Sequence, residues 1–88
     1  MSRRTQTDKA PGLRISEAAK SAGVSRQTIE YYIMLGLVEP IRVRDGERNK
    51  RYFDEELVKR IRLIRRLNKS GYTLRDIREV YLSGNRQS

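Results

Sequence analysis

The chain contains no cysteine, no histidine and no tryptophan, and it has one phenylalanine and two prolines. Without cysteine there is no disulfide framework and no thiolate chemistry. Without histidine the usual general base and the commonest metal ligand are missing. No apolar run approaches the roughly 20 residues that a helix needs to cross a bilayer. The first residues, MSRRTQTDKAPG, lack the apolar core of a signal peptide. The expectation is a soluble, cytoplasmic, nucleoid-associated protein with no cofactor, no metal and no membrane partner. No nucleophile–base set, phosphate loop or metal-ligand spacing is found, so an enzyme is not expected.

What is abundant is positive charge. Lys and Arg number 20 against 11 Asp and Glu, a net charge of +9 over 88 residues. A chain of this length forms one domain with a modest core. Such an excess is the electrostatic footprint of a polyanion partner, most simply nucleic acid.

Residues 1–12 show no periodicity and end in Pro11-Gly12, which reads as a flexible basic arm carrying Arg3, Arg4 and Lys9. In RISEAAKSAGVS, Ser16 is placed to cap a first helix. Ala18, Ala19 and Ala22 line one side of that helix, and Gly23 stops it. Ser25 then starts a second helix over 26–35, with Gly36 as its stop. Helix, tight turn and helix at this spacing is a helix-turn-helix.

On a 3.6-residue wheel Ile29, Tyr32 and Ile33 of the second helix fall on one side, and Gln27, Glu30, Tyr31 and Met34 on the other. The core therefore claims Tyr32, and its neighbour Tyr31 faces outward. Arg26 is suited to guanine edges or phosphate, Gln27 to adenine, and Thr28 to a phosphate or a thymine methyl. Tyr31 is suited to the DNA backbone. Glu30, a carboxylate on a face built to meet phosphate, is expected to hold Arg26 four residues earlier, or else to accept from cytosine.

After Pro40, IRVRDGERNKRYF alternates apolar and charged residues as a half-buried strand does. Asp45-Gly46 signals a hairpin, with Lys50 to Phe53 returning and a loop of about five residues. This basic ribbon, a wing over 41–53, carries Arg42, Arg44, Arg48, Lys50 and Arg51 against Asp45 and Glu47, and suits a backbone or minor-groove contact.

DEELVKRIRLIRRLNKSG is a helix with Asp54, Glu55 and Glu56 at its start and Lys69 at its end. Its apolar stripe is Leu57, Ile61, Ile64 and Leu67, and its exterior is basic. Thr73 caps a fourth helix whose inner face is Leu74, Ile77, Val80 and Tyr81. Residues 83–88 form a polar tail.

The segments ISEAAKSAGVSRQTIEYYIMLGLVEP and RYFDEELVKRIRLIRRLNKSGYTLRDIREV resemble, in order and spacing, the DNA-binding domain of the MerR family of bacterial transcription regulators, over Leu13 to Leu82. The resemblance implies a mainly α, winged helix-turn-helix domain over 13–82: two short helices, a two-stranded β wing and a further helix pair. It implies sequence-specific binding of double-stranded promoter DNA as a dimer. Binding distorts the operator so that RNA polymerase can use an over-long spacer. By position, Arg26, Gln27, Thr28 and Tyr31 of the helix and Lys50, Arg51 and Tyr52 of the wing match DNA-contacting residues. Lys69, Tyr72 and Arg75 follow as lesser candidates. Ser16, Arg42 and Arg44 complete the set of candidate contacts.

This chain departs from the family pattern at several points. The family usually has arginine where Gln27 and Glu30 stand, glutamate and often arginine at Ile33 and Met34, an aromatic at Asn49, and a small capping residue at Phe53. The long coiled-coil helix and effector domain of the family are not found before Ser88. The expectation is either an N-terminal domain of a longer dimeric regulator or a small stand-alone member, monomeric when isolated. Other readings are an excisionase-like or architectural DNA-binding protein and a basic RNA- or ribosome-associated protein.

Overall fold

A computed structural model describes residues 10–82. The element order is α1 (Ile15–Ala22), α2 (Arg26–Met34), β1 (Ile41–Asp45), β2 (Arg48–Tyr52), α3 (Glu55–Lys69) and α4 (Leu74–Asp76), which runs directly into a π-helical segment (Ile77–Leu82). β1 and β2 form a two-stranded antiparallel ribbon. The architecture is the mainly helical, winged arrangement expected from the sequence. The basic arm and the polar tail, residues 1–9 and 83–88, lie outside the described residues.

The helix boundaries follow local chemistry, with one exception. Gly23 closes α1 in the left-handed conformation, φ 75°, where a Cβ is unwelcome. The hydroxyl of Ser25 accepts from the Thr28 N–H at 3.0 Å and caps α2. Asp54 does the same for α3 through Leu57 N–H at 2.9 Å, and Thr73 for α4 through Asp76 N–H at 3.0 Å. These bonds satisfy donors that a helix start leaves unpaired.

The exception is α1. Ser16 is not its cap, because the helix begins at Ile15 with Arg14 in the cap position and no side-chain cap bond. Its start is set by tertiary pairing instead. Leu13 forms an antiparallel bridge with Phe53, and the Arg14 guanidinium lies 5.5 Å from the centre of the Tyr52 ring, within cation–π range. Gly12 packs closely on the Phe53 backbone. Gly12, expected to end the free arm with Pro11, is therefore part of the folded body.

The core gathers Ala18, Ala19 and Ala22 of α1, Ile29 and Tyr32 of α2, Leu37 and Val38 after it, Phe53, Val58, Ile61 and Ile64 of α3, and Ile77. In α3, Val58 is buried while Leu57 and Leu67 are only partly so, which rotates the stripe slightly from the expected one. Val80, expected on the inner face of the last helix, is 62% exposed. The backbone there winds as a π-helix from Ile77 onward, with i→i+5 bonding. A wheel built on 3.6 residues per turn no longer assigns faces. The Tyr81 side chain lies outside the described residues.

The hairpin is tighter than expected. Pairing extends to Asp45↔Arg48, leaving a two-residue loop of Gly46 and Glu47 with Gly46 at φ 68°. The return strand is Arg48–Tyr52, not Lys50–Phe53. Two side-chain bonds fasten this end. Lys50 pairs with Asp45 at 2.9 Å, and Arg44 Nε donates to the Gly46 carbonyl at 3.1 Å.

Candidate nucleic-acid interface

The sequence places α2 so that its two tyrosines part company. Tyr32 is 5% exposed and Tyr31 46%. Burial pushes the Tyr32 phenol up from its ordinary range, with nearby Arg65 opposing. Arg26 and Gln27 stand exposed at the N-terminal end of α2. Among the described residues Arg26 makes no ion pair, so its guanidinium is available. Thr28 is partly committed, since its hydroxyl shares a 2.9 Å hydrogen bond with that of Ser25. Tyr31 borders a hollow of about 410 Å³ between α2 and the C-terminal helices, lined also by Leu35, Leu74, Arg75 and Arg78. Ser16, exposed in the first turn of α1, has no cap role.

Strand register sorts the wing residues by face. Residues directly opposite share a face, and faces alternate along a strand. Pairing of Arg42 with Arg51 and of Arg44 with Asn49 puts three arginines on one face. The other face carries half-buried Ile41, Val43 and Tyr52 together with Asp45, Arg48 and Lys50. The sequence counted five wing cations as equivalent, and the structure separates them. Lys50 is paired with Asp45, whose carboxyl is held below its usual range by that bond. Arg51 is paired with Glu30, and Arg42 lies 3.8 Å from Glu39. Arg48, at the loop, has no ion pair among the described residues.

Glu30 does not pair with Arg26. It forms a two-pronged ion pair with Arg51: Nη1 donates to Oε1 at 3.0 Å and Nη2 to Oε2 at 2.7 Å. The bonds to Arg51 hold the Glu30 carboxyl below its usual range, with only a minor contribution from Arg26. They raise the Arg51 guanidinium in turn. Among the described residues this is the one side-chain hydrogen-bonded link between α2 and the wing. Both side chains remain partly exposed, 46% for Glu30 and 31% for Arg51, so the pair adds at most about 1 kcal/mol to stability. A pair 21 residues apart carries no periodic signal. Its only trace in the sequence is a carboxylate with no reason to be on that face.

Three further arginines act as struts. Arg60 Nε donates to the Leu37 carbonyl at 3.0 Å, and Arg62 donates from Nε and Nη2 to the Ser21 carbonyl at 3.3 and 3.0 Å. Arg78 Nη1 donates to the Leu35 carbonyl at the end of α2, at 3.1 Å. These carbonyls end α1 or follow α2, where cations are favoured. The sequence shows Arg60 and Arg62 only as part of a basic exterior and assigns Arg78 no place. Lys69 and Arg75, the lesser candidates, are exposed near the α3–α4 turn together with Tyr72.

A helix-turn-helix followed at once by a two-stranded wing and a helix pair is also what comparison with known proteins finds. The model of the MerR HTH family of regulatory proteins matches residues 13–83. The chain belongs to the MerR family. It is 42% identical over 72 residues to the HTH-type transcriptional regulator CueR of Bacillus subtilis (strain 168), covering 82% of this chain and 48% of that protein. It is 40% identical over 65 residues to the mercuric resistance operon regulatory protein of Bacillus cereus, covering 73% and 47%. Among solved structures, the transcription regulator PbrR691 from Ralstonia metallidurans CH34, crystallised with lead(II), superposes with a TM-score of 0.72 at 30% identity. That match covers 86% of this chain and 57% of PbrR691. This MerR-family chain spans about half the length of the curated relatives it matches.

Proposed function

We propose that this chain binds double-stranded DNA at specific sequences, as the DNA-reading part of a transcriptional regulator. The observation that carries the reading is the juxtaposition of α2 and the wing. The unpaired Arg26 and exposed Gln27 project from a well-capped helix start, and an arginine-bearing ribbon is tied to the same helix through Glu30 and Arg51. A recognition helix enters the major groove by its N-terminal residues. Arg26 then meets a guanine edge or a phosphate, and Gln27 an adenine. Thr28 offers its methyl to thymine, and Tyr31 its hydroxyl to the backbone. Arg42 and Arg44 on one face of the wing, and Arg48, Lys50 and Tyr52 on the other, meet phosphates or the minor groove alongside.

The net charge of +9 supplies the non-specific attraction, which weakens steeply with salt. The lead(II) and mercuric resistance named for relatives belong to those proteins, and residues 1–88 here have no cysteine or histidine. Dimerisation and action on RNA polymerase are further proposals for the whole regulator.

Selection of binding sites from random duplexes, followed by footprinting with RNA as competitor, tests the reading. Recovery of a defined motif, poorly competed by RNA, is the expected result. A wide palindrome would place two copies on one operator. Recovery of unrelated sequences, or displacement by RNA, would overturn specific DNA recognition.

A further inference from the structure

We propose that Glu30 is a specificity-setting residue: it holds the wing's Arg51 by both terminal nitrogens, keeps that charge from phosphate, and so limits sequence-independent binding while fixing the wing against α2. The inference rests on the DNA reading above and goes beyond it by assigning a role to a carboxylate on the DNA-facing surface.

Three observations carry it. The first is geometry. Both carboxylate oxygens meet both terminal nitrogens of Arg51, at 3.0 and 2.7 Å. That is the fork-to-fork arrangement by which arginine also clamps phosphate, so Glu30 occupies the edge that a phosphate would take. The second is the choice of partner. Arg26 lies one helical turn before Glu30 on α2, yet Glu30 reaches across to β2. The choice leaves the cation at the helix start without an ion pair and neutralises Arg51 on the wing. The third is register. Arg51 stands directly opposite Arg42 on the ribbon, and like charges so placed repel. With Glu30 in place the α2-facing side of the wing presents a net-neutral pair next to Arg42 and Arg44.

Non-specific affinity depends on the number of phosphates neutralised, and each contributes close to one unit to the slope of log K against log salt. Withholding one guanidinium lowers binding to every sequence. A fixed angle between α2 and the wing favours only those duplexes in which both dock at once. The discrimination between the right site and the rest therefore widens.

The test uses the full chain, a duplex carrying the selected motif, and a scrambled duplex of equal length, with binding measured over a range of salt. Thermal melts establish that each variant is folded. For Glu30→Gln, affinity for the scrambled duplex should rise roughly tenfold near 0.1 M salt, and the slope should steepen by about one unit. The ratio of specific to non-specific affinity should fall. For Arg51→Gln, which leaves Glu30 uncompensated against phosphate, binding to both duplexes should weaken. The double variant should return scrambled-duplex affinity and slope to near wild type, because a neutral pair again replaces a neutral pair.

If Glu30→Gln leaves the scrambled-duplex slope unchanged and weakens only the specific duplex, Glu30 reads a base and the proposal fails. If the double variant keeps a slope one unit shallower than wild type, Arg51 already contacts phosphate and the proposal fails. If the wild-type chain shows no footprint on any selected duplex, the DNA reading itself fails and takes this proposal with it.

Discussion

Leu13 and Phe53 exchange two backbone hydrogen bonds, Leu13 N–H to the Phe53 carbonyl at 2.9 Å and Phe53 N–H to the Leu13 carbonyl at 2.8 Å. This bridge joins the lead-in to α1 to the residue between wing and α3. It thereby sets where α1 begins and where the wing ends. The approach is close because Gly12 precedes it. A Cβ on Gly12 would stand 2.5 Å from the Phe53 carbonyl oxygen and 2.8 Å from the Asp54 nitrogen. These are backbone atoms next to a helix cap, with little room to move. Gly12→Ala should therefore destabilise the fold by about 1–3 kcal/mol through overpacking, read as a fall in the urea midpoint. Gly23→Ala makes a useful comparison. No atom crowds a Cβ there, and its cost of about 1–2 kcal/mol comes from the left-handed backbone alone. A Gly12→Ala variant as stable as wild type would mean that the bridge is not a fixed part of the body.

Phe53 itself is fully buried and is among the largest such side chains in the core. Truncation to alanine removes a whole ring from a small core, at a cost of about 3–5 kcal/mol. A domain of this size has a total stability of about 5–10 kcal/mol. Phe53→Ala should leave a substantial unfolded fraction on mild warming, visible as a lowered far-ultraviolet melting temperature. Phe53→Leu should retain most of the stability. Equal stability of the alanine variant would contradict the full burial of Phe53 in the core.

Local chemistry was the legible part of the sequence. Ser25, Asp54 and Thr73 could be placed as helix starts, and Gly23 as a stop, because each acts within three or four residues. The inward and outward tyrosines followed from the helical period. What stayed hidden depends on partners distant in sequence. Ser16 reads as a cap in the sequence, since the pairing of Leu13 with Phe53, which lets α1 start one residue earlier, is invisible without the fold. Asp45-Gly46 and the polar residues after it suggest a longer hairpin loop, yet pairing runs on to Asp45↔Arg48, with Lys50 bonded to Asp45 across the strands. A 3.6-residue period places Val80 inward, and the π-helical winding does not keep that period. Glu30 is anomalous in the sequence, and helical spacing points it at Arg26; its actual partner, Arg51, emerges only once β1 and β2 have a register.

The proposed DNA interface would divide into residues that read and residues that attract. Gln27 projects from the start of α2, and its loss should cost about 1–3 kcal/mol at one base pair only. Gln27→Ala is thus expected to relax the selected motif at one position and to leave the salt slope unchanged. Arg48 sits at the wing tip with no ion pair among the described residues. Arg48→Gln should weaken binding to all sequences alike and make the salt slope shallower by about one unit. Selection on both variants, with titrations at several salt concentrations, checks the division. A change of motif from Arg48→Gln with an unaltered slope would reverse the assignment.

The tie between α2 and the wing also predicts a response to acid. Its bonds to Arg51 hold the Glu30 carboxyl below its usual range in the folded chain. The unfolded chain therefore takes up a proton first as the pH falls. The contribution of the pair is present above the ordinary carboxylate pKa of about 4.3 and is lost as the pH drops through the lower folded value. Because Glu30 is 46% exposed, solvent screening keeps the effect within about 1 kcal/mol. Glu30→Gln should accordingly match wild type in stability below this window and fall slightly short of it near pH 7, with a shallower acid slope between. Lys50→Gln should act in the same sense, since the bond from Lys50 depresses the Asp45 carboxyl. Melting temperatures of wild type and both variants from pH 7 to pH 2 supply the comparison. A Glu30→Gln variant whose acid profile runs parallel to wild type would show that the pair does not persist in solution.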